Sequence, residues 1–274
     1  MEQYQWILLL LTIFLTGIFF LYHQSPTFNF YCKMFLFNGW IILMATILSP
    51  CVALFYGRRV ENMKFMRLSV LPLKNIYGIK FMVQGFENLN LKEPYVIISN
   101  HQSCLDLLGM LEVIPERCVT IAKKEMLYMG PVGWACWICG LIFIDRKNKK
   151  AAMDIMDHVA QIMRQEDLRV WIYPEGTRNP EDTLLPFKRG AFHLALKTQV
   201  PIVPIVTSSQ QCYYSYKDKK LKPGNCTIRI LPKIETQGLG LEEAPALAES
   251  TRKLMQETFY EISEELHGEK ERIE

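Results

Sequence analysis

The sequence predicts an α/β fold, a mostly parallel central sheet flanked by helices, carrying an N-terminal two-helix membrane anchor. Three observations predict it. Two long uncharged apolar runs stand together at the N-terminus of the 274-residue chain. From about residue 80, short apolar runs alternate with segments of helical period. A further long apolar segment near the middle is interrupted by glycine and proline, which takes it out of the membrane and leaves it to the domain.

The anchor comes first. Residues 5–22, QWILLLLTIFLTGIFFLY, carry no charge. As a helix rising ~1.5 Å per residue they would reach roughly 27 Å, close to the hydrocarbon thickness of a bilayer. Residues 35–56 form a second uncharged run of similar reach. A buried core helix has the same composition, but two such runs side by side favour a membrane. The chain starts Met-Glu-Gln, without the basic start and small-residue cleavage site of a secretory signal, so the anchor is expected to be retained. Next come Arg58, Arg59, Lys64, Arg67, Lys74 and Lys80 against Glu61 alone, whereas Lys33 is the fixed positive charge between the two runs. The positive-inside bias therefore puts the C-terminal part in the cytoplasm. A hairpin entering one leaflet fits the pattern as well. The expected division is residues 1–57 as anchor and 58–274 as the functional domain.

Within that domain, residues 94–99 (PYVIIS), 117–122 (RCVTIA), 141–146 (LIFIDR), 168–174 (LRVWIYP), 200–207 (VPIVPIVT) and 226–232 (CTIRILP) read as buried strands. Between them, Ile155, Met156, Val159, Ile162 and Met163 fall on one stripe at helical spacing. GAFHLALK reads as a short helix after Gly190, and Leu247, Leu254, Met255, Phe259, Ile262 and Leu266 as a C-terminal amphipathic one. Strands alternating with helices imply a parallel sheet. Residues 127–144 are long and uncharged enough to suggest a third span, but Gly130, Pro131, Gly133 and Gly140 interrupt them. A span there would also put His101 and Glu175 on opposite sides of a ~30 Å barrier. The segment is expected to be buried or to lie on the membrane surface, where its two tryptophans fit.

A net charge of +3 is too small to argue for a nucleic-acid partner, and no basic stripe interleaved with aromatics is present, so none is expected. The eight cysteines form no framework; Cys136 and Cys139 have C-x-x-C spacing, but no second pair or histidine cluster completes a metal site.

Four stretches carry candidate chemistry. In SNHQSCLD (99–106), His101 precedes Asp106 by five positions. Ser103 with Asp106 also fits a helix N-terminus close to a capping box. The two readings are compatible. Five helical steps rotate ~500°, so the pair meets only if His101 is still in the loop and curls back on the first turn. Histidine titrates near pH ~6.5 and accepts protons in the cytosol; an aspartate on one ring nitrogen fixes its tautomer. Ser103 and Cys104 are candidate nucleophiles, but so close to His101 on a turn their side chains are expected to point away from the ring. A base whose nucleophile is the substrate's own hydroxyl is therefore preferred, with Ser103 and Cys104 kept as alternatives. In YPEGTRN (173–179), Gly176 permits close backbone approach and Arg178 offers a fork suited to phosphate, although a polar surface turn has the same composition. In FIDRKNKK (143–150), Arg146 follows a strand end, where α/β sheets bind ligands. In LPFKRGAFHLAL, Lys188 and Arg189 precede a helix start that could receive an anion, and His193 is expected to be packed rather than catalytic.

Together these stretches resemble the 1-acylglycerol-3-phosphate acyltransferases, the lysophosphatidic acid acyltransferase family. The family's N-H-x4-D reads here as Asn100, His101 and Asp106; G-x2-F-I-x-R as Gly140, Phe143, Ile144 and Arg146; E-G-T-R as Glu175, Gly176, Thr177 and Arg178; and V-P-I-V-P as residues 200–204. The resemblance implies acyl transfer from acyl-CoA to the sn-2 hydroxyl of lysophosphatidic acid, giving phosphatidic acid, at an endoplasmic reticulum membrane with the domain facing the cytoplasm. It implies His101 as base and Asp106 as its orienter. Arg146 and Arg178 would hold the acceptor's phosphate, with Glu175, Gly176 and Thr177 shaping that pocket and Lys123 as a third cation. No metal or bound cofactor is implied, since CoA enters as substrate. Backbone N–H groups near the helix start are the candidate oxyanion donors. Glycerol-3-phosphate, another lysophospholipid, or thioester hydrolysis through Cys104 or Ser103 remain alternatives.

Overall fold

A computed structural model describes residues 2–145 and 149–271, with side chains over 3–145 and 154–266. The chain opens with α1 (Glu2–Gln24) and α2 (Pro26–Tyr56). A Ser-Pro pair separates them. The Ser25 hydroxyl accepts the Phe28 N–H at 3.2 Å and Pro26 occupies the first turn, where its missing N–H costs nothing. This is why α2 starts well before the uncharged run at residue 35. It ends at Gly57, at φ +64°. Both helices are long and apolar enough to cross a membrane.

They differ in what they touch. None of α1's apolar window is buried. α2 instead lies along the domain. Phe30 and Phe37 are buried, Phe37 packs edge-on to Tyr77, the Lys33 ammonium donates to the Leu221 carbonyl at 2.8 Å, and the Trp40 indole donates to the Ser69 carbonyl at 2.8 Å. Further on, Ser49 and Val52 are buried too, while Phe35, Leu36, Leu43, Ile47, Leu54 and Phe55 on the other side are exposed.

After α2 come α3 (Met63–Val70), α4 (Leu73–Ile76), β1 (Ile79–Gln84), β2 (Val96–Ser99), α5 (Asp106–Val113), β3 (Cys118–Lys123), α6 (Pro131–Ile138) and β4 (Ile142–Ile144). Then follow α7 (Lys149–Gln165), β5 (Arg169–Ile172), α8 (Gly190–Thr198), β6 (Ile202–Thr207), the small hairpin β7 (Tyr214–Ser215) with β8 (Lys220–Leu221), β9 (Gly224–Ile230) and α9 (Ala244–Glu271). The main sheet has the order β1-β9-β6-β2-β5-β3-β4 among the described residues. All pairings are parallel except β6–β9. The six expected strands are present. β1 is an additional edge strand, unread in the sequence because lysine and glutamine interrupt its short apolar pattern.

The central strand β2 shows why the sheet is buried on both faces. Val96, Ile97 and Ile98 are all fully buried, and successive side chains point to opposite sides. Ile97 packs in the core containing α2, α5 and α6; Val96 and Ile98 pack in the one containing α7, α8 and α9. Each such side chain contributes ~1.5–3 kcal/mol on burial. The middle apolar segment is no span: a 3₁₀ turn leads into α6, which is followed by β4. Cys136 and Ile138 are buried in it, whereas Trp134 and Trp137 are exposed.

The cations after α2 are largely spoken for within the protein. Lys74 pairs with Glu112 at 2.5 Å, Arg67 donates to the Glu112 carbonyl, and Arg58 donates to the Trp137 carbonyl while lying over its ring.

Candidate active site

The strands β2, β3, β5 and β6 run in the same direction, so their C-terminal ends open on one edge. Beyond β2, the Asn100 side chain donates to the Thr207 carbonyl and accepts the Thr207 N–H, both at 2.8 Å. Its amide acts as one more peptide unit joining β2 to β6, and it fixes where the next residue emerges.

That residue is His101. Its N–H donates to Glu175 Oε1 at 2.8 Å and its carbonyl accepts the Asn179 N–H at 2.7 Å. The loop after β5 thus grips both backbone groups. The imidazole stacks on the Tyr173 ring, with centroids 4.1 Å apart. Nδ1 lies 2.6 Å from Asp106 Oδ2. Asp106 is the first residue of α5, and His101 is still in the loop, the curl-back that the spacing required. The same Oδ2 accepts the N–H groups of Gln102 at 2.6 Å and Ser103 at 2.9 Å. The Ser103 bond has the spacing of half a capping box, but α5 starts at Asp106 itself, so it closes the turn that leads into the helix. A carboxylate that only accepts places the proton on Nδ1 and leaves Nε2 with its lone pair.

His101 lines a cavity of about 860 Å³. One wall is apolar, built by residues such as Ile41 and Leu48 of α2, Met66 of α3 and Val132 and Ala135 of α6. The other carries His101, Lys123, Gly176, Thr177 and Arg178. Neither the Lys123 nor the Arg178 side chain has an ion-pair partner among the described residues. Two unpaired cations facing a cavity suit an anionic group. Gly176 sits at φ +71°, and a Cβ there would come within 2.5 Å of the Lys188 ammonium. Arg146 lies outside the described residues. Arg189 and His193 are exposed, so His193 is not the packed residue expected from its helix.

Glu175 takes a different place from its neighbours. It is buried, and its two oxygens accept the N–H groups of His101 and Leu185, the latter at 3.0 Å. Burial pushes its carboxyl above the usual range; the two backbone bonds pull the other way. The carboxylate therefore braces two loops. Glu175→Gln sets an amide donor against one of those N–H groups. The expected cost is ~1–3 kcal/mol, read as a lower urea midpoint with unchanged slope.

The candidate nucleophiles are otherwise engaged. The Ser103 hydroxyl accepts the Leu105 N–H at 2.9 Å and donates to Gln210 Oε1 at 2.5 Å. Cys104 Sγ lies 3.6 Å from the Tyr214 hydroxyl, and burial pushes its thiol up. At pH 8 Cys104 is expected to alkylate more slowly than an exposed cysteine, and Cys104→Ala is expected to keep nearly full turnover. Cys136 and Cys139 are free buried thiols, pushed up by burial to about 11 and about 12. The N–H groups of Gln102, Ser103 and Leu105 are all bonded internally, which removes them as oxyanion donors.

Two site residues have no sequence signal of their own. Tyr173 is hidden at the end of an apolar strand. Gln210, whose Nε2 donates to Asp106 Oδ1 at 2.6 Å, is 104 positions from its partner.

The class is that of an acyltransferase: a family model described as Acyltransferase matches residues 80–208, from β1 to just past β6. The chain is 49% identical over 266 residues to 1-acyl-sn-glycerol-3-phosphate acyltransferase alpha of Homo sapiens, covering 96% of this chain and 93% of that protein. It is 44% identical to the beta enzyme of Homo sapiens, covering 86% and 85%. The crystal structure of the 1-acyl-sn-glycerophosphate acyltransferase PlsC from Thermotoga maritima shares the fold, with a TM-score of 0.57 at 20% identity over 85% of this chain and 94% of that one. The chain belongs to the 1-acyl-sn-glycerol-3-phosphate acyltransferase family.

Proposed function

We propose that this enzyme transfers a fatty acyl group from acyl-CoA to the sn-2 hydroxyl of 1-acylglycerol-3-phosphate, giving phosphatidic acid and CoA. The observation that carries the reading is the His101–Asp106 pair on the wall of a largely apolar cavity that also holds two cations, Lys123 and Arg178, without an ion-pair partner among the described residues. The names of the relatives support the acceptor. His101 Nε2 takes the hydroxyl proton as the acceptor oxygen bonds to the thioester carbon. Asp106 holds the ring and stabilises the imidazolium that forms. Collapse of the tetrahedral intermediate breaks the C–S bond, and the imidazolium returns its proton to the departing CoA thiolate. Lys123 and Arg178 hold the acceptor's phosphate, with Arg146 as a third cation; Gly176 and Thr177 shape the same pocket, and Glu175 holds its loop against His101.

The two apolar helices serve this chemistry. The exposed apolar side of α2, opposite the residues it buries against the domain, supports a helix lying in the bilayer beside the cavity, from which an acceptor would reach the site laterally without crossing water. The proposed setting is the endoplasmic reticulum membrane, with the domain on the cytoplasmic side.

The test is turnover in nanodiscs, crossing several acyl-CoA donors with 1-acylglycerol-3-phosphate, glycerol-3-phosphate and neutral lysophospholipids. Preference for 1-acylglycerol-3-phosphate supports the reading. Preference for another acceptor moves the substrate assignment, and CoA release without acylated lipid replaces transfer by hydrolysis. In the second case Ser103→Ala or Cys104→Ala would abolish the release.

A further inference from the structure

We infer that Gln210 is a positioning residue of the acyl-transfer reaction, holding the Asp106 carboxylate from the side opposite His101 and so setting the basicity and aim of the imidazole. The inference rests on the assignment of His101 as the base.

Asp106 uses its two oxygens differently. Oδ2 gathers three local donors: His101 Nδ1 and the N–H groups of Gln102 and Ser103. Oδ1 receives the Gln210 amide at 2.6 Å, from the segment leaving β6. The local bonds fix one oxygen and leave rotation about the axis through it; the amide on Oδ1 removes that freedom. The amide's orientation follows from its partners. Nε2 meets a carboxylate, which only accepts, and Oε1 meets the Ser103 hydroxyl, whose oxygen already accepts the Leu105 N–H and so has its proton to give.

Gln210 is itself held in place. Its N–H donates to Gln102 Oε1 at 3.1 Å, and the Gln102 amide donates to the carbonyls of Thr207 at 3.1 Å and Ser208 at 2.9 Å. The two glutamines therefore exchange bonds: Gln102, beside the base, grips the backbone leaving β6, and Gln210, on that segment, grips the acid. Both are buried, as are Ser103 and Asp106. The nitrogen and the oxygen of each amide have a partner inside the protein, so the network behaves as one unit. It has a charge consequence. An N–H on Oδ1 draws negative charge away from Oδ2 and weakens the pull of Asp106 on a proton at His101. A neutral donor here lets the imidazolium form in the transition state and still surrender its proton to the leaving thiolate.

Two variants test this in the full-length enzyme reconstituted in nanodiscs. Gln210→Met keeps the volume and removes the donor. Gln210→Glu keeps the shape; its carboxyl would lie as close to Asp106 Oδ1 as the amide does, where two carboxylates cannot both ionise, so it holds a proton and still donates. Turnover is expected to fall ~10- to 100-fold in Gln210→Met, as for other residues that orient a site's ligands, with KM for both substrates little changed, and to recover in large part in Gln210→Glu. The acidic limb of the kcat/KM profile is expected to move to higher pH in Gln210→Met, because Asp106 without a donor on Oδ1 favours the protonated ring more strongly, and to stay near the wild-type position in Gln210→Glu. A merely structural role would lower the melting temperature and the active fraction without moving that limb. Gln210→Leu carries the same readout if Gln210→Met folds poorly. An unmoved acidic limb in these donor-free variants, with His101→Ala inactive, overturns the role of Gln210 alone. Full turnover in His101→Ala overturns the parent assignment instead.

Discussion

Replacing His101 by alanine is expected to lower acyl transfer by ~100- to 10,000-fold, the usual contribution of a positioned general base. The hollow left behind should still bind both substrates, so the loss falls on kcat. Asp106→Asn is expected to fall within the same range or below it. An asparagine cannot accept from three donors at one oxygen and also take the Gln210 N–H at the other, because one of its two positions is now a donor. Either Gln210 meets an N–H₂ group, or the imidazole is driven to the tautomer with its proton on Nε2, which cannot act as base. Single-turnover measurements with bound acyl-CoA separate this from weaker binding. Unchanged chemistry in either variant would remove the pair from the mechanism.

The second large effect concerns the acceptor. Arg178→Ala is expected to raise KM for 1-acylglycerol-3-phosphate roughly 10- to 150-fold. This is the range for losing a hydrogen bond to a charged group worth ~1.5–3 kcal/mol. KM for acyl-CoA should stay near its wild-type value. Among the described residues Arg178 has no ion-pair partner to strand, and it is exposed at the cavity wall, so the fold should not suffer. Arg178→Lys keeps the charge but not the planar fork and should recover part of the loss. A rise confined to the acyl-CoA KM would instead put the CoA phosphates at Arg178.

The strands were legible because a sheet covered on both faces demands continuous β-branched runs, and PYVIIS or VPIVPIV have few other uses. The breaks in residues 127–144 were legible for a similar reason: Gly130 and Gly140 take positive φ values, which a membrane helix does not accommodate. β1 was hidden by its polar interruptions, and the early start of α2 could have been read from Ser25-Pro26. The pair His101–Asp106 was within reach of sequence reasoning because both residues lie on one loop and turn, where five positions limit the geometry.

The sequence by itself determined the α/β class, the apolar N-terminus, and the motif residues that identify the family, since each depends on residues near one another in the chain or on their order. Only the tertiary structure decided that α2 packs along the domain, that Glu175 binds the backbone of two loops, and that Gln210 holds Asp106. These contacts join segments many residues apart. Their partners are chosen by which strand ends lie side by side in the sheet, and no local pattern of residue types carries that information.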